Sequence, residues 1–407
     1  MDGPRPGGYE LAMADSETAL QPDLPCEESP NGRNSFSGPP AAEAGGILTV
    51  DLTALAANWR MLASKVTPSE CAAVVKANGY GCGIEAVARA LAHAGCKTFF
   101  VADLSEARRL RAVVPDHPVY VLNGVQPNTS PAYAELKVRP VIGSLVELAE
   151  WGGFCASNGW RGGAALHVDT GMNRLGLAPE EAAALAPRIR AENHGITLLM
   201  SHLACAELEA HPLNDKQIKL FREVRVLYRG IPSSLANSSG IFLGGTAHCD
   251  LVRPGAALYG VNPTPGHKNP MQPVVQLQAR IVHARTVARG ATVGYDATWT
   301  ARRTTRLAIA TVGYADGFPR ALSATDTRPG AEAIIAGTRC PVAGRISMDL
   351  LAIDVTDLPD GAGRRGEVAT LIGGPLDIDT VAAAAGTIGY EVLTSLGQRY
   401  HRVYRGG

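Results

Sequence analysis

The stretch Ala72-Ala-Val-Val-Lys-Ala-Asn-Gly-Tyr-Gly-Cys-Gly83 opens as an apolar strand, ends it on a lysine and breaks into alternating glycines. With the helix-like run Ile84 to Ala94 behind it, this is one βα unit. Working outward, the same alternation supplies seven more strand candidates: Thr98 to Ala102, Val119 to Leu122, Pro140 to Gly143, Ala165 to Asp169, Thr197 to His202, Ser233 to Ala236 and Leu251 to Arg253. Helical stretches such as Glu180 to Glu192 and Asp215 to Tyr228 lie between them, and Asp103 with Glu106 spells a capping box. Eight such units in roughly 200 residues describe a (β/α)8 TIM-type barrel.

A doubly wound open sheet alternates in the same way, so the position of the polar residues has to separate the two. In a barrel, working residues come from the carboxyl ends of many strands, with a phosphate site after strands seven and eight. Here Lys76 follows strand one, Arg174 strand five, His202 ends six, Asn237 and Ser238 follow seven, and Arg253 and Gly255 follow eight. The barrel is therefore expected.

The remaining sequence frames it. Residues 1–45 are rich in Pro, Gly, Ser, Glu and Ala with no apolar period, which predicts a disordered extension. They lack the basic start and apolar core of an export signal. The barrel is expected over residues 46–273, beginning with an extra strand at Ile47 to Asp51 and a helix. A mainly β domain is expected over 274–407, with alternating runs at Gln276 to Val282, Arg306 to Val312 and Leu350 to Val355, closing in two short helices between Asp379 and Gln398.

Net charge is zero with a pI near 7.1, which argues against nucleic acid or a membrane surface as partner. No apolar stretch reaches the ~18 residues of a membrane span. The eight cysteines are scattered without metal-ligand spacing, so no metal is expected and a reducing cytoplasm fits.

Lys76 is one of only seven lysines. A Schiff-base lysine must spend time as a neutral amine, which a partly desolvated pocket favours. A lysine snorkelling from a strand end fits the residues equally well.

The string Ala73 to Gly83 resembles the pyridoxal phosphate (PLP) attachment motif of the alanine racemases, a PLP-dependent family of fold type III. The resemblance continues through Val168-Asp-Thr-Gly-Met-Asn-Arg-Leu-Gly-Leu177, Ser201-His-Leu203, Ala236-Asn-Ser238, Val252-Arg-Pro-Gly255 and Leu258-Tyr-Gly260. In the second domain it takes in Val293-Gly-Tyr-Asp-Ala-Thr-Trp-Thr-Ala301, Gly313-Tyr-Ala-Asp-Gly317, Gly344-Arg-Ile-Ser-Met-Asp349 and Gly389-Tyr-Glu-Val392. It implies interconversion of L- and D-alanine, supplying or consuming D-alanine, with Lys76 holding PLP and acting as one base.

Tyr295, from the partner subunit of a homodimer, is implied as the other base, on the opposite face of the carbanion. Arg253 is implied at the pyridine nitrogen, where an arginine can only donate. The ring then stays unprotonated, and competing transamination or decarboxylation is disfavoured. His202 is implied in a hydrogen-bond chain from the ring to the tyrosine, and Arg174 at the cofactor and the substrate carboxylate. Ser238, Gly255, Ala256, Tyr80 and Tyr390 are implied at the phosphate. Met348, also from the partner, is implied at the substrate carboxylate, with Asp349 bracing the site.

The sequence departs from the family where many members carry a carbamylated lysine beside the strand-five arginine; here that residue is His167. An imidazole cannot supply the carbamate's charge, so Arg174 must be oriented by something else. Two further readings stand beside alanine racemase: a racemase of other small amino acids such as serine, and a non-catalytic PLP carrier. A related decarboxylase is disfavoured because it would place an acid where Arg253 stands.

Overall fold

In the computed structural model, residues 38–192 and 195–407 are described; the reading of residues 1–37 as disordered lies outside them. Residues 38–45, grouped by composition with that stretch, are tied to the β domain instead. Arg280 donates to the carbonyls of Ala41 (2.8 Å) and Ala44 (3.1 Å), and His401 Nδ1 lies 2.9 Å from the Pro39 carbonyl. Backbone oxygens make these contacts, so no apolar period announces them.

Seven short strands, Ala73–Val74, Phe99–Val101, Val119–Val121, Arg139–Ile142, Ala164–His167, Ile196–Met200 and Ser233–Ser234, pair in parallel in chain order. The eighth, Leu251–Val252, pairs in parallel with Glu70–Cys71, which leads into the first. Asp250 N–H donates to Ser233 O and Arg253 N–H to Ala236 O on one side; Val74 N–H donates to Pro254 O on the other, all at 2.9 Å. These bonds close the barrel.

Alternate residues turn inward: Val74, Phe100, Tyr120, Val141, Ala165, Leu198 and Met200 form one apolar cluster, with Phe100 stacked on Tyr120 at 5.0 Å. The interior is thus filled, and chemistry is confined to the strands' carboxyl ends.

The β domain is organised by the thirteen-residue strand Val275–Val287. Val275, Leu277, Ala279 and Ile281 are buried with half-exposed residues between them, the period-2 pattern of a sheet with one covered face. It pairs antiparallel with Gly46–Asp51, Thr305–Ala310 and Val368–Ile372. The strand at residues 46–51, expected at the head of the barrel, therefore belongs by pairing to the second domain's sheet. Its backbone groups need partners in register, and Val275–Val287 together with the parallel strand His401–Arg405 provides them. The two expected closing helices are Ile378–Ala385 and Gly389–Ser395. Among the described residues no helix is long and apolar enough to cross a membrane.

The two domains meet at the turn after the first barrel strand. Arg402, 5 % exposed, donates to Gly397 O at 2.9 Å and reaches the carbonyls of Gly81 and Leu396 at 3.4 Å. Gly81 has φ +80°, and a Cβ there would lie 2.2 Å from Leu393 O. Gly81→Ala is therefore expected to destabilise by about 3 kcal/mol or more. Gly159→Ala, at φ +60° with open space around it, should lose only about 1–2 kcal/mol. Urea unfolding midpoints of the two variants check the difference.

Candidate active site

Lys76 begins a turn in which Ala77, Asn78, Gly79 and Tyr80 all have left-handed backbone, φ +53°, +55°, +61° and +51°. Each non-glycine residue held there costs about 1–2 kcal/mol, so the turn persists only because its surroundings fix it. Glu106 accepts Asn78 N–H at 3.0 Å and Ala102 N–H at 2.9 Å. Asn78 Oδ1 accepts Ile84 N–H and an Arg109 N–H, and Arg109 is paired in turn with Glu85 at 2.7 Å. The expected capping box is thereby only half formed: Asp103 Oδ1 accepts Ser105 and Glu106 N–H, but the Glu106 carboxylate is drawn away to the neighbouring loop. Burial, then the positive charge of Arg174, lowers the pKa of Lys76; Glu106 opposes them.

Arg253 is 4 % exposed and donates to the carbonyls of Ser201 (2.6 Å) and Leu235 (3.4 Å) and to Ser234 Oγ. Burial lowers its pKa to about 10, so it stays charged at neutral pH. Its guanidinium lies 3.5 Å from His202 Nδ1. Burial first, then Arg253, Arg174, His167 and Lys76, push His202 down to about 3. The ring is neutral and, with Nδ1 facing a donor, carries its proton on Nε2.

After strands seven and eight, Ser238 Oγ accepts the N–H groups of Gly255 (2.9 Å) and Ala257 (3.2 Å). Ala256 between them opens the short helix Ala256–Tyr259. A Cβ on Gly255 would lie 2.3 Å from the Tyr80 hydroxyl, so only glycine lets that phenol in. Tyr80 stacks on Tyr259 at 4.6 Å. Tyr390, on the helix Gly389–Ser395, lies close enough to raise the Tyr80 pKa further after burial. A hydroxyl ordered by two backbone N–H groups, with two phenols beside it, offers donors that suit a phosphate-sized anion. This arrangement beside a lysine of lowered basicity is what PLP requires.

Tyr295 and Met348 are not brought to this mouth. They are 66 % and 53 % exposed on the β domain, with Tyr314 and Leu350 also exposed. Their loops are nonetheless held: Asp296 pairs with Arg345 at 3.2 Å, Met348 O accepts Ala315 N–H, and Asp349 binds Arg399 at 2.9 Å.

Residues 50–263 match the alanine racemase N-terminal domain and residues 274–404 the alanine racemase C-terminal domain. The chain belongs to the alanine racemase family. It is 54 % identical over 360 residues to the alanine racemase of Methylobacterium sp. (strain 4-46), covering 88 % of this chain and 98 % of that protein. It is 47 % identical over 381 residues to the alanine racemase of Rhizobium meliloti (strain 1021), covering 91 % of this chain and all of that protein. The crystal structure of alanine racemase from Bartonella henselae with covalently bound pyridoxal phosphate superposes with a TM-score of 0.84 at 40 % identity, over 89 % of this chain and 100 % of that one.

Within this alanine racemase fold, His167 ends the fifth strand. Burial, then Arg253, lowers its pKa to about 4, with Asp169 opposing and Arg174 adding to the fall. It is a neutral ring and no substitute for a carbamate. Arg174 itself is exposed and has no hydrogen bond among the described residues; its loop is what is fixed. Asp169 Oδ1 accepts the N–H groups of Gly171, Met172 and Asn173 at 2.9, 2.9 and 3.2 Å. Sequence reasoning missed Asp169, Arg402 and the true partners of Glu106. An Asp two residues before a glycine in a strand-end loop was an available signal for the first; the other two contacts are long-range and had none.

An unfolded histidine titrates near about 6.5 and folded His167 near 4, so below pH 6.5 the unfolded chain binds the extra proton. Stability from keeping His167 neutral is complete above that pH and lost as pH falls toward 4. His167→Asn should reduce the loss between pH 7 and 4 by about 1–3 kcal/mol, read from urea midpoints; equal slopes would overturn the assignment.

Proposed function

We propose that this protein is a PLP-dependent racemase that interconverts L-alanine and D-alanine through two bases, Lys76 and the partner subunit's Tyr295, in the cytoplasm. The observation that carries the reading is the convergence at one barrel mouth of a half-buried amine, a charged arginine buried among carbonyls, and the Ser238–Gly255 anion cradle. The names of the relatives supply the substrate.

PLP, when bound, supplies the electron-withdrawing ring that makes the Cα proton of an attached amino acid acidic. Lys76 holds it. Ser238, Gly255 and Ala256 hold its phosphate with the phenols of Tyr80 and Tyr390, whose basicities burial raises, so that both stay protonated donors. Arg253 donates to the ring nitrogen and has no acceptor to offer in return. That limits electron withdrawal and keeps the chemistry to proton transfer. His202, neutral, relays the arginine's orientation outward. Arg174 and the backbone of Met348 bind the substrate carboxylate.

Racemisation requires a proton to leave one face of a planar carbon and another to arrive on the opposite face. Lys76 serves one face. Tyr295 is exposed in its own chain, so it serves a second copy's site across a two-fold homodimer. The apolar surface formed with Tyr314, Met348 and Leu350 suits that contact.

The test is D-alanine formation from L-alanine by PLP-loaded protein, run beside L-serine and L-lysine. Lys76→Ala and Tyr295→Phe should each abolish most turnover. Mixing the two inactive variants as unfolded chains and refolding them together should restore about one quarter of wild-type activity. Half the dimers are then mixed, and each mixed dimer has one intact site. Failure to complement while both variants remain dimeric would place both bases in one chain. Turnover of none of the substrates would remove the racemase reading.

A further inference from the structure

Glu106 sits at the third position of the helix Leu104–Arg111, where a glutamate ordinarily reaches back to its own N-cap backbone. Its carboxylate spans two barrel loops instead. One oxygen takes Ala102 N–H at the end of the second strand, and the other takes Asn78 N–H at the centre of the left-handed turn. Accepting at both oxygens is the bonding of an ionised carboxylate.

A second copy of this device exists in the fold. Glu147, at the third position of the helix Leu145–Asn158, accepts Gly143 N–H at 2.7 Å and Val125 N–H at 3.1 Å across the neighbouring loop. Geometry alone would make both glutamates loop clamps. What separates them is the loop each clamps, because only that of Glu106 carries Lys76. The charged groups that act on Lys76 are Arg174, from the loop after strand five, and Glu106. His202, from strand six, feels Lys76 but is neutral. Arg253 lies at the same mouth. Glu106 thus brings negative charge to the lysine in a pocket otherwise supplied with positive charge.

We propose that Glu106 is the positioning residue of Lys76, holding the left-handed turn that aims the amine and keeping a carboxylate on the loop that carries it. The proposal deepens the function above, in which Lys76 bears the cofactor and acts as a base. A base that hands a proton on must not be stripped of it too easily. Burial and Arg174 act in that direction, and Glu106 opposes them.

Two readouts on the full-length protein test this. In protein stripped of PLP, pulse labelling with acetic anhydride across pH, read at the Lys76 peptide by mass spectrometry, gives the amine's midpoint. In reconstituted protein, the pH titration of the bound cofactor's absorbance reports the same site. Glu106→Gln, close in shape, should move the labelling midpoint down by about one pH unit and shift the absorbance titration in the same direction. Glu106→Asp keeps the charge but not the reach; it should destabilise the fold as much as Gln while leaving the midpoint near wild type. Glu147→Gln should lower stability with no movement of either readout.

A midpoint unchanged in Glu106→Gln, or one that moves equally in Glu147→Gln, overturns the proposal. Its failure is distinct from failure of the functional reading, because the labelling experiment needs no cofactor. Borohydride reduction that fixes PLP to another lysine would sink the latter alone.

Discussion

Four successive residues with left-handed backbone, Ala77 to Tyr80, are the constraint on which the site depends. A right-handed turn at the end of the first strand would continue as a helix and carry the chain away from the barrel mouth. The left-handed turn coils back, so Lys76 stays at the mouth while the Tyr80 hydroxyl arrives over Gly255. Such a turn is unfavourable for three of its residues, and the contacts that hold it come from elsewhere in the chain. Glu106 and Arg109 grip it from the helix Leu104–Arg111, and Arg402 reaches the carbonyl of Gly81 from the last strand. Strain in the first βα loop is thus sustained by residues about thirty positions away, with Arg402 adding a contact from 321 positions away.

The electrostatics follow from the same packing. Arg253 is buried against carbonyl oxygens and a serine hydroxyl rather than a carboxylate. Hydrogen bonds to carbonyls offset part of its desolvation cost without cancelling its charge. Two histidines in that field stay neutral, since a further buried cation would be unfavourable. The result is a mouth where Arg253, Arg174 and Lys76 all act on His202, while Glu106 opposes Arg174 at Lys76. In the function proposed above, a phosphate ester and an amino-acid carboxylate are the anions that meet these cations.

The barrel was legible because its strands are buried on both faces and read as apolar runs between turns. All eight expected strands are present, even where only Ser233–Ser234 or Leu251–Val252 pairs. The strand at residues 46–51 was placed with the wrong partner, because alternation reveals a strand but not which sheet it joins. His401–Arg405, with arginines at both its second and last positions, is not legible from the sequence; Arg402 is buried against the carbonyls of Gly397, Leu396 and Gly81. Lys76, Arg253, Ser238 and Gly255 were indicated by their place at strand ends. Tyr295 and Met348 had no physical signal of their own and rested on resemblance. Both lie on exposed surface of the β domain, where nothing in their own chain marks them.

The position of those two residues bears on why a β domain accompanies the barrel. With Phe100, Tyr120, Val141 and Leu198 filling the interior, functional groups can reach a ligand only from the ring of strand ends. That ring supplies Lys76, Arg253 and the cradle. A group acting on the far face must come from above the ring. The chain's own β domain already meets the mouth through Tyr390 and Arg402, at the turn after strand one, while its Tyr295 surface faces solvent. One domain attached in that way does not present both surfaces to the same mouth. In the dimer proposed above, each β domain would brace its own barrel through one surface and complete its partner's site through the other.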